Sequence, residues 1–105
     1  SLVILIIWVV RIIITKFENF DHINGIARAA TAAGHAVQVF MTDEGIRFTT
    51  DPRFKELLTV AGVTISCCDH SCEMLHVTEK TAGITYGSQY DHASLLHDSD
   101  RALIF

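Results

Sequence analysis

No cluster of lysine or arginine occurs in these 105 residues: eight basic side chains stand scattered against twelve acidic ones, for a net charge of -4. Nucleic-acid affinity rests on a basic face that releases counterions, so nucleic acid is excluded as a partner class. A lone tryptophan gives no aromatic platform for bases. One proline and six glycines leave no flexible linker, low-complexity tract or repeat. Also missing are the phosphate loop G-x-x-x-x-G-K-[ST], the dinucleotide fingerprint G-x-G-x-x-G and the hydrolase elbow G-x-S-x-G. No cofactor is therefore expected. Cysteine is absent everywhere except one heptapeptide, and the total of three is odd. That usage excludes a disulfide-stapled secreted scaffold and points to a reducing, cytoplasmic compartment.

Long hydrophobic runs are also few. The run LVILIIWVV at 2–10 is stopped by Arg11, short of the roughly 18 apolar residues of a membrane span. No basic residues precede it and no small-x-small site follows it, so a signal peptide is not expected. We read it as a buried strand, extra to the regular ones or extending the first, and expect no membrane partner.

Half of the residues are hydrophobic and 19% are charged, an apolar balance for a chain sized for one domain, 1–105. A homo-oligomer is the expected outlet for that surface. Past residue 10, short apolar runs alternate with helix-like stretches, as in a parallel sheet covered on both faces. The spacing predicts strands at 11–15, 35–42, 63–67 and 84–86, with 101–105 closing as a buried fifth. Helices are predicted over 20–33, stopped by Gly34, over 52–61, stopped by Gly62, and over 71–77. A last helix, to about residue 97, would open on Ser88 with Asp91 in a capping-box arrangement. The composition of 43–52 reads as a loop. The expected class is α/β, a three-layer α/β/α sandwich around a mostly parallel five-stranded sheet.

All three cysteines lie in SCCDHSC, residues 66–72, where a strand is expected to end. Chemistry in open parallel sheets gathers beyond the carboxyl ends of strands, where helix N-termini present unpaired N–H groups. Cys68, expected just past the strand and ahead of a helix, is best placed to become a thiolate, the reactive form. Asp69 opposes that by charge or caps the helix, His70 can supply a compensating positive charge, and Ser71 helps shape the cap. Cys67, still in the strand, reads first as a small buried hydrophobe. Cys72 either packs the first helical turn or serves as a second, resolving thiol. A Cys67–Cys68 disulfide is strained, since adjacent alpha carbons lie about 3.8 Å apart and disulfides span roughly 4.4 to 6.8 Å. A reversible Cys68–Cys72 bond is open. Cys67, Cys68, Cys72, His70 and His76 could also offer soft ligands to zinc or copper. Neighbouring strand residues point to opposite faces and no paired C-x-x-C is present, so no metal is expected. The remaining histidines, His22, His35, His92 and His97, read as surface or helix-end residues.

The order of these segments resembles the DsrE/DsrF-like sulfur-relay family, with its TusD-type and YchN-like members. RAATAAGHAVQVFMTDEGI is similar to its first helix, Gly-His turn, second strand and following loop. AGVTISCCDHS resembles the segment in which a strand ends at a cysteine with serine three residues on, and DSDRALIF looks like the terminal strand. The similarity runs from about Arg11 to Phe105 and leaves 1–10 outside. It implies a small α/β/α domain assembled as trimers or hexamers, in which one cysteine carries sulfur as a persulfide between a donor and an acceptor protein. By position that cysteine is Cys68, with Cys67 the alternative. A sulfurtransferase-like carrier is the leading expectation. The alternative is a non-catalytic metal-binding or redox-sensing module built on Cys67, Cys68 and Cys72.

Overall fold

A computed structural model describes residues 9–87 and 101–105. Five parallel strands form one sheet in the order β4-β3-β2-β1-β5, with β1 at Val9–Ile14, β2 at Ala36–Met41, β3 at Val63–Cys68, β4 at Ile84–Gly87 and β5 at Arg101–Ile104. The α/β class and strand count agree with the sequence reading. Val9 and Val10, the end of the apolar run, extend β1 rather than adding a strand. The rest of that run, and the helix expected from Ser88 toward residue 97, lie outside the described residues. Among those described, no helix is long and apolar enough to cross a membrane.

Alternation along each strand sorts side chains onto two faces. One face is apolar throughout: Val10, Ile12 and Ile14 of β1, Val37, Val39 and Met41 of β2, and Val63, Ile65 and Cys67 of β3 belong to one buried cluster. Every described helix packs on this face. Helix α1 (Phe20–Ala32) contributes Ile23 and Ala27, α2 (Pro52–Leu57) contributes Phe54 and Leu57, and α3 (Asp69–Met74) contributes Cys72. Phe48 and Phe54, with ring centroids 4.7 Å apart, close the cluster where β1 ends. The opposite face carries Arg11 with Ile13, Gln38 with Phe40, and Thr64, Ser66 and Cys68 in alternation. Arg11 is buried there and donates to the Gln38 side-chain carbonyl on the neighbouring strand, which leaves the guanidinium paired where a bare charge would be costly.

Local chemistry explains the boundaries. Helix α1 ends in a Schellman arrangement: Gly34, at φ 87°, donates to the Thr31 carbonyl and His35 donates to that of Ala30. Glycine takes that backbone conformation without penalty. Helix α2 opens on Asp51, whose carboxylate accepts from the Arg53 amide at 2.9 Å, followed by Pro52 in the first turn. It stops at Leu57, earlier than expected, because the Val60 amide turns back to the Leu57 carbonyl and tightens the last turn.

Three further readings are corrected. The stretch read as a loop is a 3-10 helix, Asp43–Thr50, with Ile46 and Phe48 buried. Helix α3 begins two residues earlier than expected, directly after β3. Strand β5 is an edge strand with Leu103 39% and Ile104 72% exposed, because β1, not β5, lies inside the sheet.

Candidate functional site

With all strands parallel, their carboxyl ends share one rim. There Ile14 pairs Met41, Met41 pairs Cys67, and Cys68 pairs Gly87. The chain beyond β2 is bent sharply. Thr42 donates its amide to the Ile14 carbonyl, and Asp43 follows at φ 50°, a left-handed conformation that ordinary side chains rarely adopt. Ser71, on the first turn of α3, holds this bend: its hydroxyl accepts from the Asp43 amide at 3.0 Å and bonds the Thr42 hydroxyl at 3.2 Å. Ser71 thus joins α3 to the start of the 3-10 helix instead of capping its own helix. Ser71→Ala leaves the Asp43 N–H without its acceptor and is expected to cost about 1–2 kcal/mol. Urea unfolding and faster hydrogen exchange at the Asp43 amide are the checks.

Beside this junction a cleft of about 340 Å³ opens between Asp43, Glu44, His70, Ser71, Met74 and Leu75. His70, Asp43 and Glu44 stand exposed on its walls, with Glu44 paired to Arg47 at 2.6 Å. No cysteine is among its described lining residues. The sequence points to His70 and Ser71 but gives no sign of Thr42 and Asp43, which sit more than 25 residues from Ser71 in the chain. Only the fold brings them together.

The cysteines are placed differently from expectation. Cys68 does lie at the rim, but as the last residue of β3, inside the ladder, and its side chain is 0% exposed. The open thiol expected from the sequence is corrected to a sealed one, because the strand runs one residue further than its pattern suggested. Cys68 also occupies the N-cap position of α3, with φ −77° and ψ 114°, and its side chain makes no capping hydrogen bond. Cys67 turns to the helical face, where its sulfur lies 3.8 Å from that of Cys72. Cys72 therefore partners Cys67, and not Cys68 as the sequence reading allowed.

Asp69 does not cap the helix. Its carboxylate pairs with Lys80 at 2.6 Å, both about half exposed, and the same ammonium lies 4.1 Å from the centroid of the Tyr86 ring. Asp69 accordingly raises the Lys80 pKa through that hydrogen bond. His76 sits at φ 58°, donating to the Glu73 carbonyl while Val77 donates to that of Cys72. It ends α3 in the place glycine usually takes. Among the described residues no three His, Cys, Asp or Glu side chains are arranged to hold a metal ion.

Burial sets the electrostatics of the sulfur pair. It pushes the Cys67 thiol far above the ordinary value of 9.0, and the charge of a neighbouring Cys72 thiolate acts the same way. The Cys72 thiol is also raised, again chiefly by burial, although the Cys67 hydrogen bond pulls it down. Both stay protonated at neutral pH. An acid whose pKa is raised by folding stabilises the native state fully below its unfolded pKa. That contribution is lost as pH climbs, because the unfolded chain releases a proton that the folded chain keeps. Above pH 9 stability is thus expected to fall by up to about 1.4 kcal/mol per pH unit for each thiol. Urea titrations at about pH 8 and about pH 10 should show this fall, and Cys67→Ala should flatten it.

No curated protein matches the chain. The sequence model of the DsrE/DsrF-like family does match, over residues 18–105, from just before α1 through β5, the cysteine segment included. The chain belongs to the DsrE/DsrF-like family, a family associated with sulfur relay among partner proteins.

Proposed function

We propose that this chain is a sulfur carrier that holds sulfur as a persulfide on Cys68 and passes it to a partner thiol. The observation that carries this reading is the separation of the three sulfurs. Cys67 and Cys72 are paired with each other in the helical-face core, whereas Cys68 lies on the other face, at the strand end where α3 begins. Chemistry in parallel sheets belongs at that rim. Asp69, His70 and Ser71 follow on α3 as supporting residues that shape the rim and the adjoining cleft.

The exchange follows thiol–disulfide chemistry. The Cys68 thiolate attacks the outer sulfur of a donor persulfide, forming a new S–S bond and releasing the donor as its thiolate. An acceptor thiolate then takes the outer sulfur and leaves Cys68 as thiolate again. Because Cys68 is sealed in the resting chain, loading proceeds from a locally opened rim. Such opening costs less than global unfolding where short elements border the site. Helix α3 has six residues and is tied by Ser71 and by the exposed Asp69–Lys80 pair.

The donor and acceptor are partner proteins, and the carrier works as a homo-oligomer, a trimer or hexamer, in a reducing cytoplasm. Exposed Leu103 and Ile104 on β5 supply apolar surface for such assembly. Incubation with a persulfide donor, followed by intact mass, tests the reading. The chain should gain one sulfur atom, and Cys68→Ser should gain none.

A further inference from the structure

Two buried thiols in contact, Cys67 and Cys72, are left unused by the carrier reading. Their sulfurs are 3.8 Å apart. A disulfide requires roughly 2.05 Å, so an approach of under about 2 Å would close the bond. They also bridge two particular elements, since Cys67 belongs to the end of β3 and Cys72 to the first turns of α3. Lys80 and Asp69 are the charged groups acting on both sulfurs, and they are salt-bridged to each other at 2.6 Å. We propose that Cys67 and Cys72 form a reversible disulfide on exposure to a low-molecular-weight disulfide, and that this cross-link ties the start of α3 to the end of β3. The bond does not rest on Cys68 being the carrier.

The step balances without further reactants. Cys72, on the short helix α3, loses its proton and attacks one sulfur of the small disulfide. One small thiolate leaves and a mixed disulfide remains. The Cys67 sulfur then attacks the Cys72 sulfur and expels the second small thiolate. Two protein thiols are oxidised, one small disulfide is reduced to two thiols, and the two protein protons end on them. Burial of both sulfurs makes the reaction slow in the closed chain and faster when α3 lifts from the sheet. A small thiol in excess reverses it.

The experiment uses the full chain with oxidised glutathione as the probe. In Cys68→Ser, which retains only the pair, oxidation followed by alkylation in denaturant should add no alkyl group, with the protein two hydrogens lighter. Prior reduction should restore two alkyl groups. Two alkyl groups after oxidation, or a glutathione adduct that persists, would overturn the disulfide. In the unsubstituted chain, oxidised and freed of glutathione, hydrogen exchange at the α3 amides should slow by about tenfold or more, as expected when a cross-link disfavours local opening. Cys72→Ala should lose this oxidation dependence. Equal exchange in the oxidised and reduced chains would overturn the tie between α3 and β3 while leaving the disulfide in place.

Discussion

Gly45→Ala is expected to destabilise the fold by about 3 kcal/mol, a large share of the roughly 5–15 kcal/mol that holds a domain together. A methyl group at this position would lie 2.2 Å from the Ile14 carbonyl oxygen and 2.7 Å from its carbon. Those atoms cannot retreat easily. The Ile14 oxygen already accepts the Thr42 amide, and Gly45 itself donates to the Thr42 carbonyl at 2.9 Å. Relief would require the 3-10 helix to lift from the end of β1, which would withdraw Ile46 and Phe48 from the core and strain the Asp43–Ser71 junction. A lowered urea midpoint with an unchanged slope is the expected signature. Gly25, inside α1, provides the opposite sign, since a methyl group added there would meet nothing within 4 Å. Gly25→Ala should stabilise by about 0.5–1 kcal/mol through helix propensity alone.

The second large effect concerns sulfur. Cys68→Ser is expected to abolish loading from a persulfide donor, because serine matches the thiol closely in size but cannot form a persulfide. Its fold should remain, as shown by an unchanged circular dichroism spectrum and a urea midpoint close to that of the parent, because residue 68 is the N-cap of α3, where a serine hydroxyl can accept from the helix amides. Cys67→Ser places a hydroxyl in an apolar cluster and should chiefly lower stability, by about 1–3 kcal/mol if the hydroxyl finds no partner. Separation of the two outcomes is the point of the comparison. Loss of loading in Cys68→Ser with stability retained identifies a carrier, whereas loss of stability with loading retained identifies a packing residue. Loading that survives in Cys68→Ser and vanishes in Cys67→Ser would move the carrier to Cys67.

Much of the fold is legible in the sequence because the apolar runs are short, β-branched and bounded by turn residues. Val63, Ile65 and Cys67 alternate with Thr64 and Ser66, and Gly34 falls where a helix has to stop. Three features are hidden. The 3-10 helix at Asp43–Thr50 carries Gly, Asp and Thr in loop proportions, and only tertiary burial of Ile46 and Phe48 reveals it. The edge position of β5 depends on strand order, which no local pattern encodes. One extra residue in β3 is enough to take Cys68 into the ladder and seal it, and strand ends are read from sequence only to within a few residues. The same shift turns Cys72 toward Cys67 on the helical face rather than leaving it to Cys68. Ser71 reads from the sequence as part of a helix cap, yet its partners Thr42 and Asp43 come from a segment brought near by β2 and β3 pairing.

The carrier role of Cys68 is tested most directly by locating the sulfur. The reduced chain would be loaded from a persulfide donor, its persulfide trapped with an alkylating reagent, and the protein digested and mapped by mass. One additional sulfur is expected, carried on residue 68 alone. Additional sulfur on residue 67 or 72, or on no residue while the donor loads a control thiol, would contradict that role.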